Sequence, residues 1–311
     1  MKEHLIKKNI MRRFLLSFVL CVYCFTAYAA PVSNLKIAAG VVSGTYYPVA
    51  LQMCNFISKY SPITKCEVVA TSGSINNLNL LATEKVDFAF VQSDVARDAV
   101  KANGIFAGQK PYSDLRIVMN LFPEVFSMLV RDEKGVVNFS DISGMRIGVN
   151  LKGSGAKSGL MVLFNYFKFA KDPQVIHVPD AQMPAKLCED EVDAVVLFTG
   201  HPSGIVGKIT STCDVEFISV DQFKLENIVA ENPVYEKSLL GARSYTGISR
   251  NATSFATRAI LVANSDLDSD KVNLLRSIIS KNLDEFKKLY PVLNNVNKID
   301  MFDGVITSYP K

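Results

Sequence analysis

Short apolar runs alternate along this chain with longer stretches in which apolar residues recur every three to four positions. Leu35 to Ala39, Cys66 to Ala70 and Phe88 to Val91 read as strands. So do Arg116 to Leu121, Phe126 to Val130, Met145 to Val149, Val175 to Val178, Asp193 to Phe198 and Val215 to Ser219. Most are apolar without alternation, the pattern of strands covered on both faces. Leu160 to Ala170 and Pro184 to Glu191 read as helices between them. Near the end, Asp270 to Tyr290 carries Val272, Leu275, Ile278, Ile279, Leu283 and Phe286 at helical spacing, with Asp268, Ser269 and Asp270 available to cap it. The alternation predicts an α/β protein with a parallel sheet in each half, and the last helix is long enough to pack back on the first half.

Polar residues concentrate where strands hand over to helices. The first strand is followed by Gly40-Val41-Val42-Ser43-Gly44-Thr45-Tyr46-Tyr47-Pro48, the second by Thr71-Ser72-Gly73-Ser74, the third by Gln92-Ser93-Asp94. The second half repeats the device with Lys152-Gly153-Ser154-Gly155 and Thr199-Gly200-His201-Pro202-Ser203-Gly204. Ligands of open α/β sheets sit beyond the carboxyl ends of the strands, where backbone N–H groups at helix starts suit an anion. The chain passes between halves near Phe122-Pro123-Glu124 and returns within Arg243 to Thr253, where Tyr245, Gly247 and Asn251 break the periodicity. Residues 30–125 plus 249–311 are thus expected to form a discontinuous lobe I and 126–248 a lobe II, closing on one cleft by hinge bending.

The amino-terminal segment belongs to neither lobe. Lys7, Lys8, Arg12 and Arg13, then the apolar run Phe14 to Phe25, then Ala27-Tyr28-Ala29, read as a secretory signal over residues 1–29, cut after Ala29. About a dozen apolar residues are too few for the roughly 20 of a membrane span. Small residues are missing before Cys21 and Cys24, which argues against a lipoprotein. The formal charge of +4 resides mostly in this segment, which holds five of the 34 Lys/Arg and one of the 30 Asp/Glu. The remainder is near neutral, without the basic footprint of a nucleic-acid binder.

Beyond the signal stand Cys54, Cys66, Cys188 and Cys213. An even number in an exported chain favours disulfides, and four cysteines allow three pairings. The local pattern narrows these to Cys54 with Cys66 and Cys188 with Cys213, each tying a helical stretch to a nearby strand. Zinc is the rival, but there is no C-x-x-C spacing and only His177 and His201 follow the signal. No metal and no cofactor are expected.

Ser43-Gly44-Thr45-Tyr46-Tyr47-Pro48, Thr71-Ser72-Gly73-Ser74 with Asn77-Leu78, Val91-Gln92-Ser93-Asp94-Val95-Ala96 and Gly153-Ser154-Gly155 follow one another as in the TAXI family. That family comprises the extracytoplasmic solute-binding subunits of tripartite ATP-independent periplasmic (TRAP) transporters. The chain resembles it from Leu35 to about Phe286. The resemblance implies a type II periplasmic-binding-protein fold, capture of a small carboxylate such as glutamate, glutamine or 2-oxoglutarate, and delivery to the membrane permease subunits of a TRAP transporter. A monomer in the periplasm is expected. Two departures bear on ligand choice: Ala156 stands where the family often has Thr or Gln, and Tyr245-Thr246-Gly247 runs into Ile248-Ser249-Arg250-Asn251 rather than an acidic run.

The candidate ligand-binding set is Ser43, Gly44, Thr45, Tyr46, Tyr47, Ser72, Gly73, Ser74, Gln92, Ser93, Gly153, Ser154, Gly155, Thr199 and Gly200. One of Tyr46 and Tyr47 is expected to face the cleft and the other to pack. Ser43, Thr45, Ser72 and Ser74 could equally be helix caps, and Asp94 a partner of a helix dipole. Glu124 could pair with a basic residue, bind an amino group or be an exposed hinge charge. His201 reads as a satisfied loop histidine. An enzyme would need a nucleophile beside a base, and neither mature histidine has an evident carboxylate partner. An accessory protein that presents its ligand to a membrane sensor is a further alternative that shares every one of these features.

Overall fold

The computed structural model describes residues 34–150 and 153–302. The expected signal over 1–29 and Lys152 lie outside the described residues. Ten strands form one sheet in the order β2-β1-β3-β10-β4-β7-β5-β6, with β8 joined to β4 and β9 to β10. In the first half β1 (Asn34–Ala38) runs parallel to β2 (Lys65–Val69) and β3 (Phe88–Gln92). In the second, β5 (Arg146–Val149) runs parallel to β6 (Gln174–His177) and β7 (Ala194–Thr199). Each parallel set is the one the apolar runs predict. What joins them differs from expectation.

Arg116 to Leu121 and Phe126 to Val130 are not two strands. They are one, β4 (Leu115–Arg131), which continues through Pro123. Proline lacks the ladder N–H, and it is tolerated here because β4 changes partner at this point: Leu115 to Val125 pair with β10 (Ala252–Asn264), and Val125 to Val130 with β7. β8 (Val215–Phe217) pairs with its far end. β10 was not legible as a strand, because Thr253, Ser254, Thr257 and Arg258 interrupt its apolar run. It pairs first with β9 (Glu236–Leu240) and then with β4 and β3. Residues 241–251 are the turn of the β9–β10 hairpin.

The core divides where these two long strands cross. Two apolar clusters draw on β1 to β3, the start of β4 up to Phe122, and β10 from Ala259 onward. Two others draw on β4 from Val125, on β5, β7 and β8, and on β10 up to Ala256. Phe126 stacks on Phe255 with ring centroids 5.2 Å apart, tying β4 to β10 on the second side. This is a mixed α/β fold of two lobes sharing a sheet.

The helices follow the strands. α1 (Tyr46–Tyr60), α2 (Ser74–Ala82) and α3 (Ser93–Lys101) follow β1, β2 and β3. α4 (Ala156–Tyr166), α5 (Met183–Cys188) and α6 (Gly204–Thr210) follow β5, β6 and β7, and α7 (Gln222–Glu231) follows β8. The long terminal helix is broken into α8 (Ser269–Lys281) and α9 (Leu283–Lys287). Asn282 makes the break, its side-chain amide donating to the Ile278 carbonyl at 2.8 Å. Leu275, Ile279 and Phe286 nevertheless join the first-lobe core, as their spacing predicts. α10 (Lys298–Phe302) ends the described chain.

Both expected disulfides form. Cys54–Cys66 links α1 to β2 with Cα atoms 5.1 Å apart, and Cys188–Cys213 links α5 to the segment before β8 at 5.7 Å. In the chain-entropy account such loops contribute about 3 kcal/mol each. Among the described residues no helix is long and apolar enough to cross a membrane.

Candidate functional site

Six strand ends and the turns that follow them converge on one space. Its first-lobe wall comes from Gly40, Val41, Gly44, Thr45 and Tyr46 after β1, Ser72 and Ser74 after β2, and Gln92 after β3. Its second-lobe wall comes from Asn150, Ser154, Gly155 and Ala156 after β5, Asp180 after β6, and Phe198 and Thr199 at the end of β7. Glu124 closes the space from β4, between the two walls. The cavity volume is about 70 Å³, several times what a single water needs.

The walls touch. Thr45 and Thr199 share a hydroxyl–hydroxyl bond of 2.9 Å, and the Gln92 amide leans on the Phe198 carbonyl at 3.4 Å. The Gly153 carbonyl accepts from the Ile75 N–H at 3.0 Å and more weakly from Asn76 at 3.4 Å, so the second lobe caps the first turn of α2. Two glycines make this approach possible. A Cβ on Gly155 would lie 1.5 Å from Gln92 Oε1, and one on Gly153 would lie 2.3 Å from Ser72 Oγ. Gly153 also holds φ at +108°, which side chains disfavour.

Charge in the space is carried by carboxyls. Glu124 is 3% exposed and accepts a 2.5 Å hydrogen bond from the Tyr46 hydroxyl. Burial pushes its carboxyl up to about 8, helped by the nearby Asp94 and opposed by hydrogen bonds from Tyr46 and Gln92. Burial likewise raises Asp180 to about 6, against a hydrogen bond with Asn150. Tyr46 is held far above the usual phenol range by burial and by Glu124. Asp94 lies behind this wall, raised to about 6 by burial while the Tyr235 hydroxyl donates to it at 2.9 Å. Gln92 Oε1 is buried without a hydrogen-bond partner. Among the described residues no lysine, arginine or histidine lines the space.

Of the residues singled out from sequence, the fold brings Gly44, Thr45, Tyr46, Ser72, Ser74, Gln92, Ser154, Gly155 and Thr199 to this space. Tyr46 is the inward tyrosine, whereas Tyr47 packs against the first-lobe core. Ser43 is exposed on the turn. Ser93 holds β10, pairing with the Thr257 hydroxyl at 2.7 Å and accepting from the Arg258 N–H at 3.2 Å. Gly73 and Gly153 make the contact between walls, and Gly200 is buried against Phe122 and Val292. Gly40, Val41, Asn150, Ala156, Asp180 and Phe198 are members that the candidate set left out. Asn150 and Asp180 were within reach of the strand-end rule, but the turn after β6 has no glycine to mark it. Glu124 is neither exposed nor paired with a base.

His201 stands apart from the cleft in a network of its own. Ser127 Oγ donates to the Val125 carbonyl at 3.0 Å and therefore accepts from His201 Nε2 at 2.8 Å. The Tyr245 hydroxyl accepts from the Ser203 N–H at 2.7 Å and therefore donates to His201 Nδ1 at 2.6 Å. The ring is neutral and fully satisfied, and burial lowers it to about 4. With its proton on Nε2 it cannot take one from Ser127. Among the described residues no three His, Cys, Asp or Glu come together to hold a metal.

The sequence profile described as the NMT1-like family matches residues 37–309. Among solved structures, the chain is similar to the substrate-binding protein of an amino acid ABC transporter, with 10% identity, coverage of 83% of this chain and 97% of that one, and a TM-score of 0.52. It is similar to the periplasmic aliphatic sulphonate binding protein SsuA from Escherichia coli, with 14% identity, 84% and 73% coverage, and a TM-score of 0.50. A TctC solute binding protein from Polaromonas gives 15% identity, 88% and 90% coverage, and a TM-score of 0.50. These likenesses give the fold: two α/β lobes with a cleft between them, as in the periplasmic binding proteins.

Proposed function

The chain belongs to the NMT1-like family, and from that premise we propose that it is an exported solute-binding protein that captures a small organic acid between its lobes and hands it to a membrane permease. The observation that carries this reading is the convergence of helix starts without side-chain caps, from both lobes, on one space. α1, α2, α3 and α4 all begin there without a side-chain cap, and at α2 alone the Gly153 carbonyl of the other lobe takes up first-turn N–H groups. Oriented N–H groups of this kind hold a carboxylate without a cationic side chain. Several charge-assisted hydrogen bonds at about 1.5–3 kcal/mol each, less ordering costs, reach the roughly −8 kcal/mol of micromolar binding.

Closure is a hinge motion in β4 near Pro123 and Glu124 and in β10 between Ala256 and Ala259, where each strand leaves one core for the other. Lobe I is then the part of the chain outside these points and lobe II the part between them. The TAXI-like motifs favour a TRAP-type permease as recipient and glutamate, 2-oxoglutarate or a related carboxylate as cargo. The neutral, satisfied His201 favours a binding role over catalysis. Two disulfides and the leader-like residues 1–29 favour the periplasm. Thermal-shift screening of C4 and C5 dicarboxylates and acidic amino acids tests the reading. At least one acid should raise the melting temperature by several degrees, and no shift with any acid would overturn it.

A further inference from the structure

The lining of the cleft divides by chemistry. N–H and hydroxyl groups at the helix starts supply donors for an acid, but a separate part of the wall presents acceptors. Glu124 enters from β4, Asp180 from the turn after β6, and Gln92 from the end of β3. Gln92 is the telling member. It is 3% exposed, and its NH₂ is turned toward the Phe198 carbonyl, which leaves Oε1 against Gly155 in the cleft wall without a partner. A buried acceptor left unmade costs about 1–3 kcal/mol, so its persistence points to a donor supplied from outside the chain. Two carboxyls stand in the same wall, and among the described residues no Lys, Arg or His lines it. A third carboxyl, Asp94, stands two residues beyond Gln92 and, when ionised, adds to the unfavourable negative potential at Glu124.

A plain diacid would bring more negative charge to this wall. A protonated amine brings three N–H donors, and a positive charge that favours the ionised form of these carboxyls, to acceptors from both lobes and the strand between them. We propose that Glu124, Asp180 and Gln92 form an ammonium subsite, so that the solute is an amine-bearing acid rather than a simple dicarboxylate or keto acid. The proposal rests on the solute-binding reading above and narrows it. Because Glu124 and Gln92 belong to the first wall and the crossing strand while Asp180 belongs to the second, an ammonium held among them also favours the closed form.

Calorimetric titration of the protein with matched pairs tests this: L-glutamate against glutarate and 2-oxoglutarate, L-aspartate against succinate, with putrescine as an amine that has no carboxylate. The amine-bearing member of the preferred pair should bind at least about 30-fold more tightly than its partners, the scale of a lost charge-assisted hydrogen bond in a buried site. Glu124→Gln should shrink that ratio to within about threefold, and Asp180→Asn should reduce it too, which covers the case of a Glu124 variant that does not fold. The ratio, unlike absolute affinity, is not moved by a merely structural role. Glutarate or 2-oxoglutarate binding as tightly as L-glutamate would overturn the ammonium subsite and leave the organic-acid reading intact. Putrescine binding while no acid binds would do the reverse. Absence of binding by every amine overturns the subsite, and by every acid the wider reading.

Discussion

Four helices that start at the cleft, α1 to α4, and two that start away from it, α7 and α8, solve the same problem differently. At α7 the Asp221 side chain accepts from the Lys224 N–H at 3.1 Å, and at α8 Asp268 accepts from the Asp270 N–H at 2.9 Å. These are ordinary caps on orphan donors. At α1 to α4 no side chain does this, although Thr45, Ser74, Ser93 and Ser154 stand in or beside capping position. Their hydroxyls are engaged elsewhere. Thr45 bonds Thr199 across the cleft, Ser74 accepts from the Gln92 N–H at 3.1 Å, Ser93 holds β10, and Ser154 donates to Asn150 at a distance of 2.5 Å. Hydroxyls at the cleft thus tie turn to turn and lobe to lobe, and leave helix-start N–H groups for a solute or, at α2, for the opposite lobe.

The sharpest way to break this contrast is to prevent the walls from meeting. Gly155→Ala places a methyl group on Gln92 Oε1 when the walls meet as they do here, so affinity for any acid that binds between them should fall by about two orders of magnitude, or ~2.8 kcal/mol. The unliganded melting temperature should change little, and calorimetry beside a thermal melt separates the two effects. An affinity within threefold of the unaltered protein would mean that the walls do not close on the ligand.

The next effect is on pH. The folded protein keeps a proton on Glu124 up to about pH 8, whereas the unfolded chain loses it near the ordinary value of 4.5. Between those values the native state binds more protons, so this contribution to stability is fully present below about pH 4.5 and is lost as pH rises through about 8. Asp94 and Asp180 follow the same sign but finish near pH 6. The decline from pH 6 to 8.5 therefore belongs to Glu124 and is on the order of 2 kcal/mol. Denaturant melts of Glu124→Gln should show that part of the slope removed. A persistent slope would place the titrating group elsewhere.

The smallest effects bear on the caps themselves. Asp221→Ala and Asp268→Ala should each cost about 1 kcal/mol of stability and leave affinity within twofold. Thr45→Ala should do the opposite, with a stability change under about 0.5 kcal/mol and a loss of affinity of about fivefold to tenfold, because its hydroxyl acts only when the lobes meet. Equal stability losses at all three positions would erase the distinction.

The α/β class, the two parallel sets and both disulfides were legible because apolar runs, glycine turns and cysteine placement are local signals. β10 was hidden for a local reason too. Thr257 and Arg258 look outward-facing in sequence, yet Thr257 is fully buried where β10 passes between the cores. Pro123 suggested a break, and only the exchange of partners around it explains an unbroken β4. Of the residues expected in the cleft, Thr45, Tyr46, Ser72, Ser74, Gln92, Ser154 and Thr199 line the space while Ser43, Tyr47 and Ser93 do not, and Asn150 and Asp180 were outside the expected set. Glu124, in an apolar run, read equally well as a partner for a base, a binder of an amino group or an exposed hinge charge. Its burial depends on Tyr46, 78 residues away, and no window along the chain contains both.

Closure around a solute is the claim on which all of this depends, and it can be measured directly. Spin labels placed at the exposed positions Val42 in the turn before α1 and Ala181 beside Asp180 stand on opposite walls. Pulsed dipolar spectroscopy should give a distance distribution that narrows and shortens when the preferred acid is added, and that stays broad in the Gly155→Ala background. A distribution unchanged by saturating ligand would contradict the account.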